Sequence, residues 1–324
     1  MRCIFCLEDR PSSDEHVFPL AIGGSLHTDR VCSTCNSILG DAVDAPLCNH
    51  VLIVVRRAQL KLAGNSNTIP DGLKALFGTG ELVGDPTKRL QVRTNARTGK
   101  LDLRMLYHAI ETELGVGMKQ RQIVIDAKDA GQLGTIIQRE RKRAGFEPLS
   151  ADDLRAQVEI ILASGVRTIE KPEVHHQIKI DLAEFRKGLL KIAYELAFLW
   201  LGESYIDDPM AARLRDVILS RSDEQAARLR GTITFGCDIP PVALWAQDKD
   251  CHVAYDLVTG NDIAVCLKIF DVFAAVVIVS EQKDRYVKGQ FDAMAMRFIQ
   301  LDPVSASNRQ CSFIEEMGRL VASR

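Results

Sequence analysis

The hydrophobic positions change their period along the chain, and the change predicts where helices give way to strands. The strongest helical pattern runs from Leu182 to Leu201. Leu182, Phe185, Leu189, Ile192, Ala193, Leu196 and Trp200 recur at three- and four-residue spacing, which puts them on one face of a helix. Asp181 and Glu184 suit a capping arrangement at its start, and Gly202 suits its end. Asp208-Pro209 opens a second helix over Met210–Leu219, and the two are expected to pack as a helical hairpin. Beyond Gly231 the composition turns β-rich over Cys251–Asp256, Ile263–Ile269, Phe273–Ser280 and Ala293–Ile299, with Thr259-Gly260-Asn261 as a hairpin turn. Antiparallel strands against helices make the expected fold class α+β.

Nearer the start, one strand carrying Glu15 and His16, a turn region at Gly23-Gly24 and a second strand near Thr28–Val31 read as a β-hairpin. A helix follows, capped by Ser33 or Thr34. Asn36, Leu39 and Val43 share one of its faces, which brings Asn36 back over the hairpin. In the middle of the chain, Leu90–Arg104 alternates around Ala96-Arg97-Thr98-Gly99 and predicts a second hairpin. Gln122–Ile125 reads as a strand, followed by a helix from about Ala130 into the basic run Arg139–Arg143. A further helix, Ala151–Ala163, begins after Ser150 with Asp153 in a capping pattern and is stopped by Gly165.

Composition is that of a folded globular chain: 324 residues, 46% hydrophobic and 26% charged. A net charge of −2 decides nothing about nucleic acid, so only the distribution of charge informs. The first ten residues carry Arg2, Glu8, Asp9 and Arg10 and lack the apolar run of a signal peptide, and the longest apolar stretches are broken by Lys191, Glu195, Lys268 and Asp271. The expectation is a cytoplasmic protein without a membrane span.

Nine cysteines in such a chain argue against a disulfide framework. Four fall in two pairs, Cys3-Ile4-Phe5-Cys6 and Cys32-Ser33-Thr34-Cys35, separated by 25 residues. A two-residue gap aims two sulfurs at one ion, and a second pair completes a closed tetrahedron, so these four are read as a structural zinc site. Cys48, Cys237, Cys251, Cys266 and Cys311 have no such pairing and are expected as small core residues.

Between the pairs stand Asp14-Glu15-His16-Val17-Phe18-Pro19, Gly23-Gly24 and His27, and Asn36 follows the second pair directly. This stretch resembles the zinc-stabilised branch of the HNH endonucleases over roughly residues 1–46. The resemblance implies a ββα-metal nuclease module over residues 1–50; the helix and strand patterns beyond it make 51–324 an α+β domain with a sub-boundary near 170. The resemblance further implies His16 as the general base of phosphodiester hydrolysis, and Glu15 and Asn36 as ligands of a catalytic Mg²⁺ or Mn²⁺. His27 stands where the family has its middle Asn, and would brace the loop or bind metal. Adjacent strand residues point to opposite faces, so Glu15 and His16 converge only if the strand bends or the ligand reaches across. The resemblance also implies DNA as the partner, a place in restriction or phage defence, and a homodimer for cutting both strands.

Residues 1–50 hold three basic and seven acidic side chains, whereas 51–110 hold ten basic and four acidic, among them Arg56, Arg57, Lys61, Arg93 and Arg97. A basic stretch beside a metal site suits a phosphate backbone, since counterion release rewards such contacts. Two other readings stand beside the nuclease: a catalytically silent zinc-knuckle module that binds nucleic acid or protein, and a large domain that senses a regulatory ligand and controls the nuclease.

Overall fold

In the computed structural model of the chain, the residues described are 1–95, 97–115, 118–163, 169, 171–178, 180, 183, 185–220, 229–237, 239–287 and 297–322. They divide into two compact units, Met1–Gly72 with Lys179–Arg324, and Leu73–Ile178. The sequence suggested a break near residue 50; the packing instead groups the N-terminal residues with the C-terminal half.

The chain opens with the hairpin β1 (Ser12–His16) and β2 (His27–Cys32), then α1 (Ser33–Leu39), α2 (Ala45–Asn49) and α3 (Val51–Leu60). A π-helical turn over Gly40–Asp44 joins α1 to α2. The chain then runs through α4 (Gly72–Phe77), β3 (Thr79–Leu82), β4 (Asp85–Thr94), β5 (Leu101–Met105), β6 (His108–Gly115), β7 (Met118–Val124), α5 (Leu133–Arg143), α6 (Ala151–Ala163) and β8 (Val174–His175). Next come α7 (Arg186–Leu201), α8 (Pro209–Leu219), β9 (Gly231–Phe235), α9 (Pro240–Ala243), β10 (His252–Thr259), β11 (Asp262–Ile269) and β12 (Phe273–Ser280). The chain closes with α10 (Lys283–Tyr286), β13 (Arg297–Asp302), β14 (Ser307–Ser312) and α11 (Phe313–Ala322).

In the first unit a six-stranded antiparallel sheet of order β14-β13-β10-β11-β12-β9 lies against α7 and α8. Val17, Phe18, Val31, Leu39 and Val43 of the N-terminal module share one core with Leu189, Ile192 and Leu196 of α7 and with Val265, Leu267 and Val277 of the sheet. The opposite sheet face buries Trp245, Tyr255 and Phe298, with Phe313 of α11 packed on them. In the second unit the strands follow the order β5-β4-β3-β8, with β6 and β7 as a separate hairpin and α5 packed against α6. The fold is mixed helix and antiparallel sheet, as the alternation of patterns predicts.

Several boundaries depart from the sequence reading. Neither Ser33 nor Thr34 caps α1; the helix starts at Ser33, with the extended Cys32 at the capping position and no side-chain bond there. The expected Leu182 start and Asp181–Glu184 cap of α7, the Gly165 stop of α6 and the run 293–296 lie outside the described residues. Helix α7 is buried from Lys187 to Phe198 on every side, including Lys191 and Glu195, so its apolar stripe understates its burial. The caps at α6 and α8 form as predicted: Ser150 Oγ accepts from Asp153 N–H at 3.2 Å, and Asp208 Oδ1 accepts from Met210 N–H at 2.7 Å. No single helix among the described residues is long and apolar enough to cross a membrane.

Candidate functional site

The two cysteine pairs meet because β2 runs directly into α1. Cys32 ends the strand, Cys35 sits in the first helical turn, and the tight N-terminal turn brings Cys3 and Cys6 against them. All four sulfurs lie within 4.8 Å of one another, and none is in a disulfide. Cys6 Sγ and Cys32 Sγ are 3.9 Å apart, close to the ~3.8 Å edge of a tetrahedron with Zn–S bonds of ~2.3 Å. Cys32 N–H donates to Cys3 Sγ at 3.4 Å, which fixes the sulfur beside the start of α1. The cluster fits a structural zinc.

A second cluster forms on the outer side of the hairpin. Ser13 pairs with Val31 and Glu15 with Thr28, so Asp29 and Arg30 of β2 stand opposite Asp14 and the bulge lies on β2. The alternation of β1 is uninterrupted: Asp14 is exposed, Glu15 is buried, and His16 is half-buried. Positions 14 and 16 therefore share a face, and His27 of β2 joins them. The His16 and His27 rings lie 4.0 Å apart, and His27 Nδ1 is 2.9 Å from Asp14 Oδ1. The ligand atoms of Asp14, His16 and His27 all fall within 4.8 Å, so the three can hold a metal ion. Burial, and then the neighbouring His27, push the His16 pKa below its usual range, which keeps its imidazole neutral and able to take a proton. Asn36 reaches back from α1 as its spacing predicts: its Nδ2 donates to the Asp14 carbonyl at 2.9 Å and to Ser13 Oγ at 3.2 Å.

Glu15 faces the other way. Its carboxylate is buried and ion-paired with Lys191 of α7 at 2.5 Å, so the place of the acidic neighbour of His16 is taken by Asp14. The pleat explains the exchange, since residues i and i+2 share a face and residues i and i+1 do not. This alternation was present in the sequence and was the signal for Asp14. Lys191 had none, because it falls within the apolar pattern of α7.

The basic residues are divided between the units. Arg56 is bonded to Asp271 at 2.8 Å and lies 3.4 Å from Asp250. Arg57 is buried and donates to the Cys48 and Ala63 carbonyls, which takes it out of reach of a phosphate backbone. Lys61 is exposed at the left-handed end of α3. In the second unit Arg93 is paired with Asp102 at 3.2 Å, and Arg97 is exposed in the turn between β4 and β5.

Set beside known proteins, residues 3–52 match the HNH endonuclease family, which spans both clusters. This N-terminal segment is thus similar to the HNH endonucleases, a family of nucleases. No curated protein and no solved structure matches the chain.

Proposed function

We propose that the protein is a divalent-metal-dependent endonuclease that hydrolyses phosphodiester bonds of DNA. The observation that carries this reading is the convergence of Asp14, His16 and His27 on the outer face of a hairpin, inside the segment that matches the HNH family. Asp14 and His27 are the residues that would hold Mg²⁺ or Mn²⁺, and such an ion supplies charge neutralisation at the scissile phosphate and the departing oxygen. His16 takes the proton from the attacking water. Asn36 acts through the hairpin, since its amide ties the Asp14 carbonyl to α1. The thiolate cluster holds the knuckle to the start of α1 and takes no part in the reaction.

Plasmid DNA incubated with purified protein and Mg²⁺ or Mn²⁺ tests this reading. Nicking or linearisation by the wild type, and a loss of 10²-fold or more in His16→Ala at unchanged zinc content, is the expected result. If both proteins are zinc-loaded, folded and inert on DNA and RNA, the silent zinc-knuckle module is the better description. A place in restriction or phage defence belongs to the same proposal and is tested by plating phage on cells that carry the wild type or His16→Ala.

A further inference from the structure

Lys191 lies near the middle of α7, about 140 residues beyond the end of the family match, yet its ammonium is fully buried under the active-site strand. It donates to the His16 carbonyl at 2.6 Å and pairs with Glu15 at 2.5 Å, so it grips two consecutive residues of β1. Two more carboxylates face it, Asp44 at 3.3 Å from the π-helical turn and Glu195 at 3.5 Å one turn further along α7. A buried ammonium is costly to keep, and removing one partner of such a group leaves uncompensated charge. What the arrangement achieves is a fixed height and tilt for β1 just where Glu15 turns inward and His16 turns outward.

We infer that Lys191 is a positioning residue for the Asp14–His16–His27 cluster: helix α7 sets the geometry of the site through the His16 carbonyl and the Glu15 carboxylate. This inference rests on the proposed nuclease reading for its kinetic test and on the cluster alone for its binding test. The rest of α7 contributes docking of a different kind. Tyr194 Oη donates to the Ile4 carbonyl at 2.5 Å, and a Cβ on Gly188 would come 2.8 Å from Leu47, so the helix lies directly under the knuckle and α2. Tyr194 thus offers a control on the same helix that touches the knuckle and not the hairpin.

The test compares Lys191→Met/Glu15→Gln with Tyr194→Phe in the full-length, zinc-loaded protein. Lys191→Ala alone would strand Glu15, Asp44 and Glu195 and open a cavity; the double variant removes the ammonium with its nearest carboxylate, keeps both side-chain volumes, and leaves Asp44 and Glu195, whose carboxyls burial already pushes toward the protonated form. In plasmid cleavage the expected result is a fall in kcat of at least tenfold at a KM within threefold of wild type, while Tyr194→Phe lowers Tm and leaves kcat within threefold. A double variant whose kcat stays within threefold, or a kcat loss in Tyr194→Phe that matches its own, overturns the inference. If the wild type cuts no nucleic acid, the nuclease reading fails and Mn²⁺ titration of the apo outer cluster decides instead. At least fivefold weaker binding in the double variant supports the positioning role, and binding within twofold of wild type overturns it.

Discussion

A methyl group on the Cα of Gly24 would fall 1.7 Å from the Phe18 carbonyl oxygen, and Gly23 before it sits at φ +84° against Pro303. The Gly-Gly pair lets the loop fold flat between the two strands of the hairpin, so no other residue fits at position 24 without moving the backbone at Phe18. Gly24→Ala is expected to cost about 4 kcal/mol or more, read as a shift in the urea midpoint with zinc still bound. His252 is the second residue whose surroundings fix its state. Its Nε2–H donates to the Ile22 carbonyl at 2.9 Å and its Nδ1 accepts from Phe270 N–H at 3.3 Å, which specifies the neutral ring. Burial pushes its pKa from the ordinary 6.5 down to about 4. The folded pKa is the lower one, so the unfolded chain binds the proton first as the solution is acidified. Stability from this group is full above about pH 6.5 and is lost toward pH 4, by about 3 kcal/mol in all. In His252→Gln that portion of the slope should vanish, so wild type and variant should converge by about this amount between pH 7.5 and pH 4 in denaturant titrations.

Among the elements, the hairpin and α1 are held from two directions: by the thiolate cluster at the strand end and by α7 from below. Too few apolar residues lie in this short ββα unit for it to stand without help. Chelation of the zinc should therefore release all four cluster thiols to a thiol reagent, lower the Tm by more than 10 °C, and leave the far-UV signal of the six-stranded sheet largely in place. Retention of four protected thiols after chelation would falsify the zinc assignment. Helix α7 itself was legible as a helix from its stripe, and α8 from Asp208-Pro209. The burial of α7 all round was not, because the ionic partners of Lys191 come from Glu15 and Asp44, far away in the chain.

For the molecule as a whole, the family match ends at residue 52, but the core that contains those residues does not. Residues 1–52 alone would expose Val17, Phe18, Val31 and Leu39 where α7 and the sheet now cover them. An isolated 1–52 peptide with zinc is accordingly expected to bind the metal yet give poorly dispersed NMR amide signals, whereas residues 1–72 with 179–324 carry the complete core.

Residue spacing alone carried the chemistry: two Cys-x-x-Cys pairs for one tetrahedral ion, His16 and His27 in one hairpin, Asn36 directly after the second pair, and the strand and helix periods that make the fold α+β. These are legible because bond geometry and short-range periodicity act over a few residues. Tertiary structure decided which face of β1 is buried. Glu15 turns into the core, where the buried Lys191 meets it, and Asp14 is left beside the two histidines. It also decided that Arg56, Arg57 and Arg93 serve the protein's own carboxylates and carbonyls. Both outcomes depend on partners brought close only by packing, and the physical reason is burial: a charge removed from water must find its counterpart wherever the fold supplies one.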